Sequence, residues 1–139
     1  MEISYFLFTG SLGALLSILA HSVAYSGLEL LGKPRLSRVM ALVQVSVAET
    51  LLHMLGGIAM GCLYWLSWGL AAVVGVQWWW RGLGFGVVCA LGIVLPSLIT
   101  LSLTGREPPL QRIAVSTRWL TTCLFVGLAC AWQWAHGGN

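Results

Sequence analysis

Apolar residues run almost unbroken through four stretches of the chain, and the ionisable residues gather mainly in the short gaps between them. The hydrocarbon core of a bilayer is about 30 Å thick and takes roughly 20 apolar residues of helix to cross. Each stretch meets that length. The first runs from about Tyr5 to Leu31 and stops at Gly32-Lys33-Pro34, a helix end followed by a basic turn. The second covers about residues 37–68, and the third about 77–103 with Pro96 inside it. The fourth covers about 110–135, after Gly105-Arg106-Glu107-Pro108-Pro109. Because the runs are continuously apolar rather than alternating, they read as helices and not as strands of a barrel. No basic residue precedes the first run, which is also too long for the apolar region of a cleavable signal peptide, so it is expected to stay as a span.

Between the second and third spans, Gly69 to Val76 is apolar yet bracketed by Trp65, Trp68, Trp78, Trp79 and Trp80. A single helix from Met40 to Val76 would be about 55 Å long at 1.5 Å per residue, well beyond a bilayer. Tryptophan favours the headgroup boundary, so this piece reads as a hairpin lying in the interface. The expected fold is therefore an all-α integral membrane protein. It is a single domain over 1–139, an antiparallel bundle of four transmembrane helices with a Trp-rich interfacial hairpin between helices 2 and 3.

Basic residues orient it. Lys33, Arg35 and Arg38 lie between spans one and two. Arg106 and Arg112 lie between spans three and four, with Arg118 just inside the fourth. The outer loop holds only Arg81. The excess of Lys and Arg on cytoplasmic loops then places both termini outside a bacterial inner membrane. Seven of the eight tryptophans, all but Trp119, fall at the outer boundary under this arrangement.

Composition agrees: charged residues are 8% of the chain, against about 25% in a soluble domain. The formal net charge of +3 follows from topology and contact with anionic lipid, so the expected surroundings are the bilayer and no nucleic acid. Cys62, Cys89, Cys123 and Cys130 lie inside separate helical positions with no CxxC pair, and read as small apolar core residues.

Helical phase gathers the polar residues into two stripes. Gly10, Ala14, Ser17, His21 and Tyr25 share one face of the first helix, and Ser46, Glu49, His53, Gly56, Met60 and Tyr64 share one face of the second. Ionisable groups in a membrane are costly and turn to the bundle interior, so the stripes are expected to face each other through a Glu49–His21 or Glu49–His53 contact. Three readings of the cluster of His21, Glu49, His53, Tyr25 and Ser46 follow. It is a structural clasp that fixes register, a proton or ion relay, or a pair of histidines (His21 and His53) holding a b-type haem. Beyond that haem alternative no cofactor or metal site is expected, because His136 sits in the outer tail and ligands are too few.

Elsewhere the helices read as packing surfaces. Gly57 with Gly61 and Gly82 with Gly86 are small-residue pairs that let backbones approach. Gly82, Cys89, Pro96 and Thr100 share a face of the third helix, and Ser116, Cys123, Gly127 and Cys130 share one of the fourth. A lone bundle has few internal neighbours for both glycine pairs, so at least one is expected to meet another polypeptide.

In size and topology the chain is similar to the membrane-associated glutathione and eicosanoid enzymes, whose second helix carries an Arg, Asn and Glu signature. Arg38, Gln44 and Glu49 echo it loosely, with one residue type and the spacing changed. That resemblance implies an enzyme as a minor alternative. No nucleophile–base pair, phosphate loop or zinc motif supports one. The leading expectation is a small multi-pass protein acting through helix contacts, as an accessory subunit of a larger complex or a homo-oligomer. The alternatives are a proton or ion conductor and a haem-bearing electron carrier.

Overall fold

The computed structural model is all-helical over the residues it describes, which are 2–32, 47–67, 77–104 and 109–137. Four helices follow in order: α1 (Ile3–Leu30), α2 (Val47–Leu66), α3 (Trp78–Thr104) and α4 (Pro109–His136). All four are long and apolar enough to cross a membrane. Their ends match the hydrophobic pattern closely, except that the expected second span begins ten residues earlier, at 37–46, outside the described residues. Most of the expected Trp-rich hairpin, residues 68–76, lies outside them too. Gly32 closes α1 with φ +65°, the left-handed conformation that a glycine adopts freely after the last helical turn.

Helix neighbours are unequal. α1 packs along α2 and along α4, α2 also meets α4, and α3 packs on α4 with only slight contact to the others among the described residues. The core is thus a triangle of α1, α2 and α4, with α3 laid against the outside of α4. In lipid there is no water to drive helices together, so close backbone approach and van der Waals contact must supply the association. Glycines provide it at two seams. On α1–α2, a side chain at Gly61 would strike the Phe6 carbonyl, and one at Gly57 would strike the Gly10 carbonyl. On α3–α4, a Cβ at Gly82 would lie 2.8 Å from Leu128 Cα, and one at Gly86 2.9 Å from the Cys123 carbonyl oxygen.

These seams correct one expectation. Gly57, Gly61, Gly82 and Gly86 all face helices of their own chain, so neither pair is left over for another polypeptide. The physical reason lies in the pairing: α1 brings Gly10 to meet one pair and α4 brings Gly127 to meet the other.

Side chains fill the rest. Phe6, Tyr64, Phe85 and Trp134 form an aromatic cluster, with Phe85 edge-on to Tyr64 at 4.9 Å and Trp134 5.4 Å from Phe6 between ring centroids. Cys89, Cys123 and Cys130 are buried, Cys62 is half-buried, and all four are free thiols. On α3 the expected face is buried only in part. Gly82 and Cys89 are inside, whereas Pro96 and Thr100 are exposed, and between Leu95 and Thr100 only Leu98 is still half-buried against the core.

Candidate functional site

Polar side chains from three helices meet at one level of the bundle. α1 contributes Ser17, fully buried, and His21 one turn later. α2 contributes Glu49 and the buried His53, four residues apart on one face as helical spacing requires. α4 contributes Arg118, Trp119, Thr121 and Thr122, with Arg118 only 4% exposed.

The hydrogen bonds form a continuous chain. His21 Nε2 lies 2.7 Å from Thr121 Oγ1. Ser17 Oγ lies 3.3 Å from Thr121 Oγ1 and 3.1 Å from Thr122 Oγ1. His53 Nδ1 lies 3.1 Å from Thr122 Oγ1. The Thr121 hydroxyl also donates to the Arg118 carbonyl at 2.8 Å. Beside the chain, Arg118 pairs with Glu49 at 3.3 Å.

One direction of the hydrogens lets each of the three hydroxyls both donate and accept. With its proton given to the Arg118 carbonyl, Thr121 accepts from Ser17 and from the His21 Nε2–H. Ser17 then accepts from Thr122, and Thr122 from the His53 Nδ1–H. Both imidazoles are neutral in this arrangement, and the carboxylate and guanidinium cancel. A polar network inside a low-dielectric bundle is stabilising only when its members are all partnered.

Trp119 covers the chain from one side. Its indole stacks on His53 with ring centroids 4.3 Å apart and planes 25° from parallel. Gly56 makes room for it, since a Cβ there would come within 2.9 Å of the indole.

The two sequence stripes are thus brought together through α4. His21, His53 and Glu49 each bond a side chain of α4, and Thr122 bridges Ser17 of α1 to His53 of α2. The reason is steric: α4 places two successive threonines between the stripes at the level where they would otherwise meet. Tyr25 lies on α1 one turn beyond His21, and nothing is described of its side chain. Ser46, and Arg38 and Gln44 of the enzyme-like signature, lie outside the described residues. Sequence reasoning missed Arg118, Trp119, Thr121 and Thr122 because Arg118 was counted as a marker of topology. The signal was present, since an arginine followed at three and four residues by threonines puts a charge and two hydroxyls on one helical face.

The two histidines do not fit a haem. Each already bonds a threonine, the threonines are adjacent on one helix, and the fully buried Ser17 lies between them. Among the described residues, the glycines nearest the two histidines leave no cradle for a macrocycle. A Cβ at Gly13, Gly56 or Gly57 would meet protein atoms at once. Among the described residues, no group of three or more His, Cys, Asp or Glu side chains is placed to hold a metal ion.

No protein-family model, curated protein or solved structure matches the chain.

Proposed function

We propose that this chain is an integral membrane protein that acts through lateral helix contacts, as an accessory subunit of a larger membrane complex or in a homo-oligomer. Its four helices run antiparallel across a bacterial inner membrane, with both termini outside and the loops around Arg35 and Arg106 in the cytoplasm. The polar interior serves as a clasp that fixes the register of α1, α2 and α4. A buried network whose members satisfy one another specifies one arrangement of helices.

The observation that carries this reading is the last third of α3. From Leu95 to Thr100 every residue but Leu98 is exposed. Ser97 and Thr100 donate to the carbonyls of Ile93 and Pro96 in their own helix, at 2.6 and 2.9 Å. Among the described residues, only Leu98 keeps this segment in contact with the core, and the rest of its surface is left uncovered. Between it and Leu120 of α4 runs an apolar groove of about 190 Å³, lined by Val87, Val94 and Leu98 among others. A span whose last third is mostly uncovered has contact surface to offer a neighbour in the bilayer.

Mass measurement of the native protein released from mild detergent, with chemical crosslinking in membranes, tests the proposal. The expected result is a mass above that of one 15.0 kDa chain. A strictly monomeric protein that crosslinks to nothing would overturn it.

A further inference from the structure

We propose that Thr121, Ser17 and Thr122 form a proton path that joins His21, at the half-buried edge of the bundle, to His53 in its interior. This is a further property of the clasp and stands independently of the association reading.

Geometry carries the argument. Three hydroxyls stand in a row between two imidazoles, and the four links measure 2.7, 3.3, 3.1 and 3.1 Å. A hydroxyl is at once donor and acceptor, so it can take a proton on one side while releasing one on the other. An imidazole changes its charge within the physiological pH range, which makes it a suitable terminus for such a row. His53 is 3% exposed and lies beneath Trp119. These hydroxyls give it a hydrogen-bonded route to the half-buried His21.

The step balances as follows. His53, doubly protonated, releases its Nδ1 proton to Thr122 Oγ1. Thr122 passes its own proton to Ser17, Ser17 to Thr121, and Thr121 to His21 Nε2, which begins as a bare lone pair. His53 ends neutral, His21 ends as the imidazolium, and each hydroxyl has gained one proton and lost one. The hydrogens now point the other way along the row, ready for the return. In the resting arrangement the Thr121 proton bonds the Arg118 carbonyl at 2.8 Å and His21 carries its hydrogen on Nε2. The gate is therefore double: the His21 hydrogen moves to the Nδ1 tautomer, which bares Nε2, and the Thr121 hydroxyl rotates from the carbonyl to it. Glu49 from α2, Arg118 from α4 and His21 from α1 are charged or titratable groups that face His53. Because Glu49 and Arg118 form an ion pair, the mobile charge moves beside a neutral couple.

Nitrogen-15 resonances of labelled histidine, recorded on the full chain in lipid nanodiscs, test the path. In the wild type the ring protons of His21 and His53 should exchange with each other, and His53 should exchange with water as fast as His21 does. Thr122→Val should slow the exchange of His53 by about tenfold or more, equal to about 1.4 kcal/mol of barrier, and leave that of His21 unchanged. Thr122→Ser keeps the hydroxyl and should keep the rate. Ser17→Ala cuts the row at a second point and should reproduce the loss if the valine variant fails to fold. Exchange at His53 that is unchanged in both hydroxyl-deleting variants, or that is insensitive to His21→Phe, would overturn the proposal. Native mass reports association separately, so the two readings can fail independently.

Discussion

Replacing Glu49 by leucine removes the carboxylate from a guanidinium that is 4% exposed, while the carboxylate side chain itself is 46% exposed. Breaking a fully buried pair by deleting one partner costs about 3–5 kcal/mol, because the remaining charge is left uncompensated. Solvent screening at a half-exposed carboxylate reduces the figure, since exposed pairs contribute only about 0.2–1 kcal/mol. The pair lies between these limits, and we expect Glu49→Leu to cost about 1–2 kcal/mol. Glu49→Gln keeps an acceptor within reach of Arg118 and should cost less than half as much. Arg118→Met in the Glu49→Leu background removes the guanidinium as well, and the double variant should be more stable than Glu49→Leu alone, because a pair replaced entirely by apolar groups is often neutral. Equilibrium unfolding in mixed micelles, with all four proteins in one detergent, gives the differences directly. A leucine variant as stable as wild type, or a double variant whose losses simply add, would refute the reasoning.

Glycine substitutions should separate the packed seams from the outer faces. Gly61→Ala and Gly82→Ala should both destabilise, through overlap with the Phe6 carbonyl and with Leu128. Gly92→Ala, with nothing within 4 Å of the new Cβ, should be neutral or stabilise by up to about 1 kcal/mol through helix propensity. Equal melting temperatures for all three would refute the seams. Tyr64 is 1% exposed and its buried hydroxyl has no hydrogen-bond partner among the described residues, so Tyr64→Phe should be neutral or stabilising by about 1 kcal/mol. A clear loss of stability would show that the hydroxyl has a partner in the membrane. A cysteine introduced by Asn139→Cys should react with an impermeant thiol reagent in intact cells, and reaction only after permeabilisation would reverse the orientation.

Much of this architecture was legible in the chain, for a physical reason. A helix that must satisfy every backbone group in lipid announces itself as a continuous apolar run, and the runs about Tyr5–Leu31, 77–103 and 110–135 end close to α1, α3 and α4. The buried faces of α1 and α2 also followed from helical phase, which put Ser17, His53, Met60 and Tyr64 on the inside. What periodicity could not supply was the choice of neighbour. Two stripes that suit each other, His21 on one helix and Glu49 with His53 on the next, suit a third helix equally well, and Thr121, Thr122 and Arg118 are that third helix. The glycine pairs misled for a related reason. Gly57, Gly61, Gly82 and Gly86 show where a backbone approaches, and a single sequence does not say whose backbone it is. The exposed end of α3 was hidden because Gly82, Cys89, Pro96 and Thr100 keep one phase along the helix, while Pro96 and Thr100 are exposed.

Site-directed photo-crosslinking in intact membranes tests the central claim most directly. A photoreactive residue placed in turn at Leu95 and Ile99 on the exposed end of α3, and at Leu51, Leu55 and Leu63 on the outer face of α2, samples the bilayer around the bundle. The account predicts a discrete protein adduct, a second copy or one other polypeptide, from the α3 positions, with lipid adducts alone from at least part of the α2 face. Lipid adducts alone from every one of these positions would contradict it.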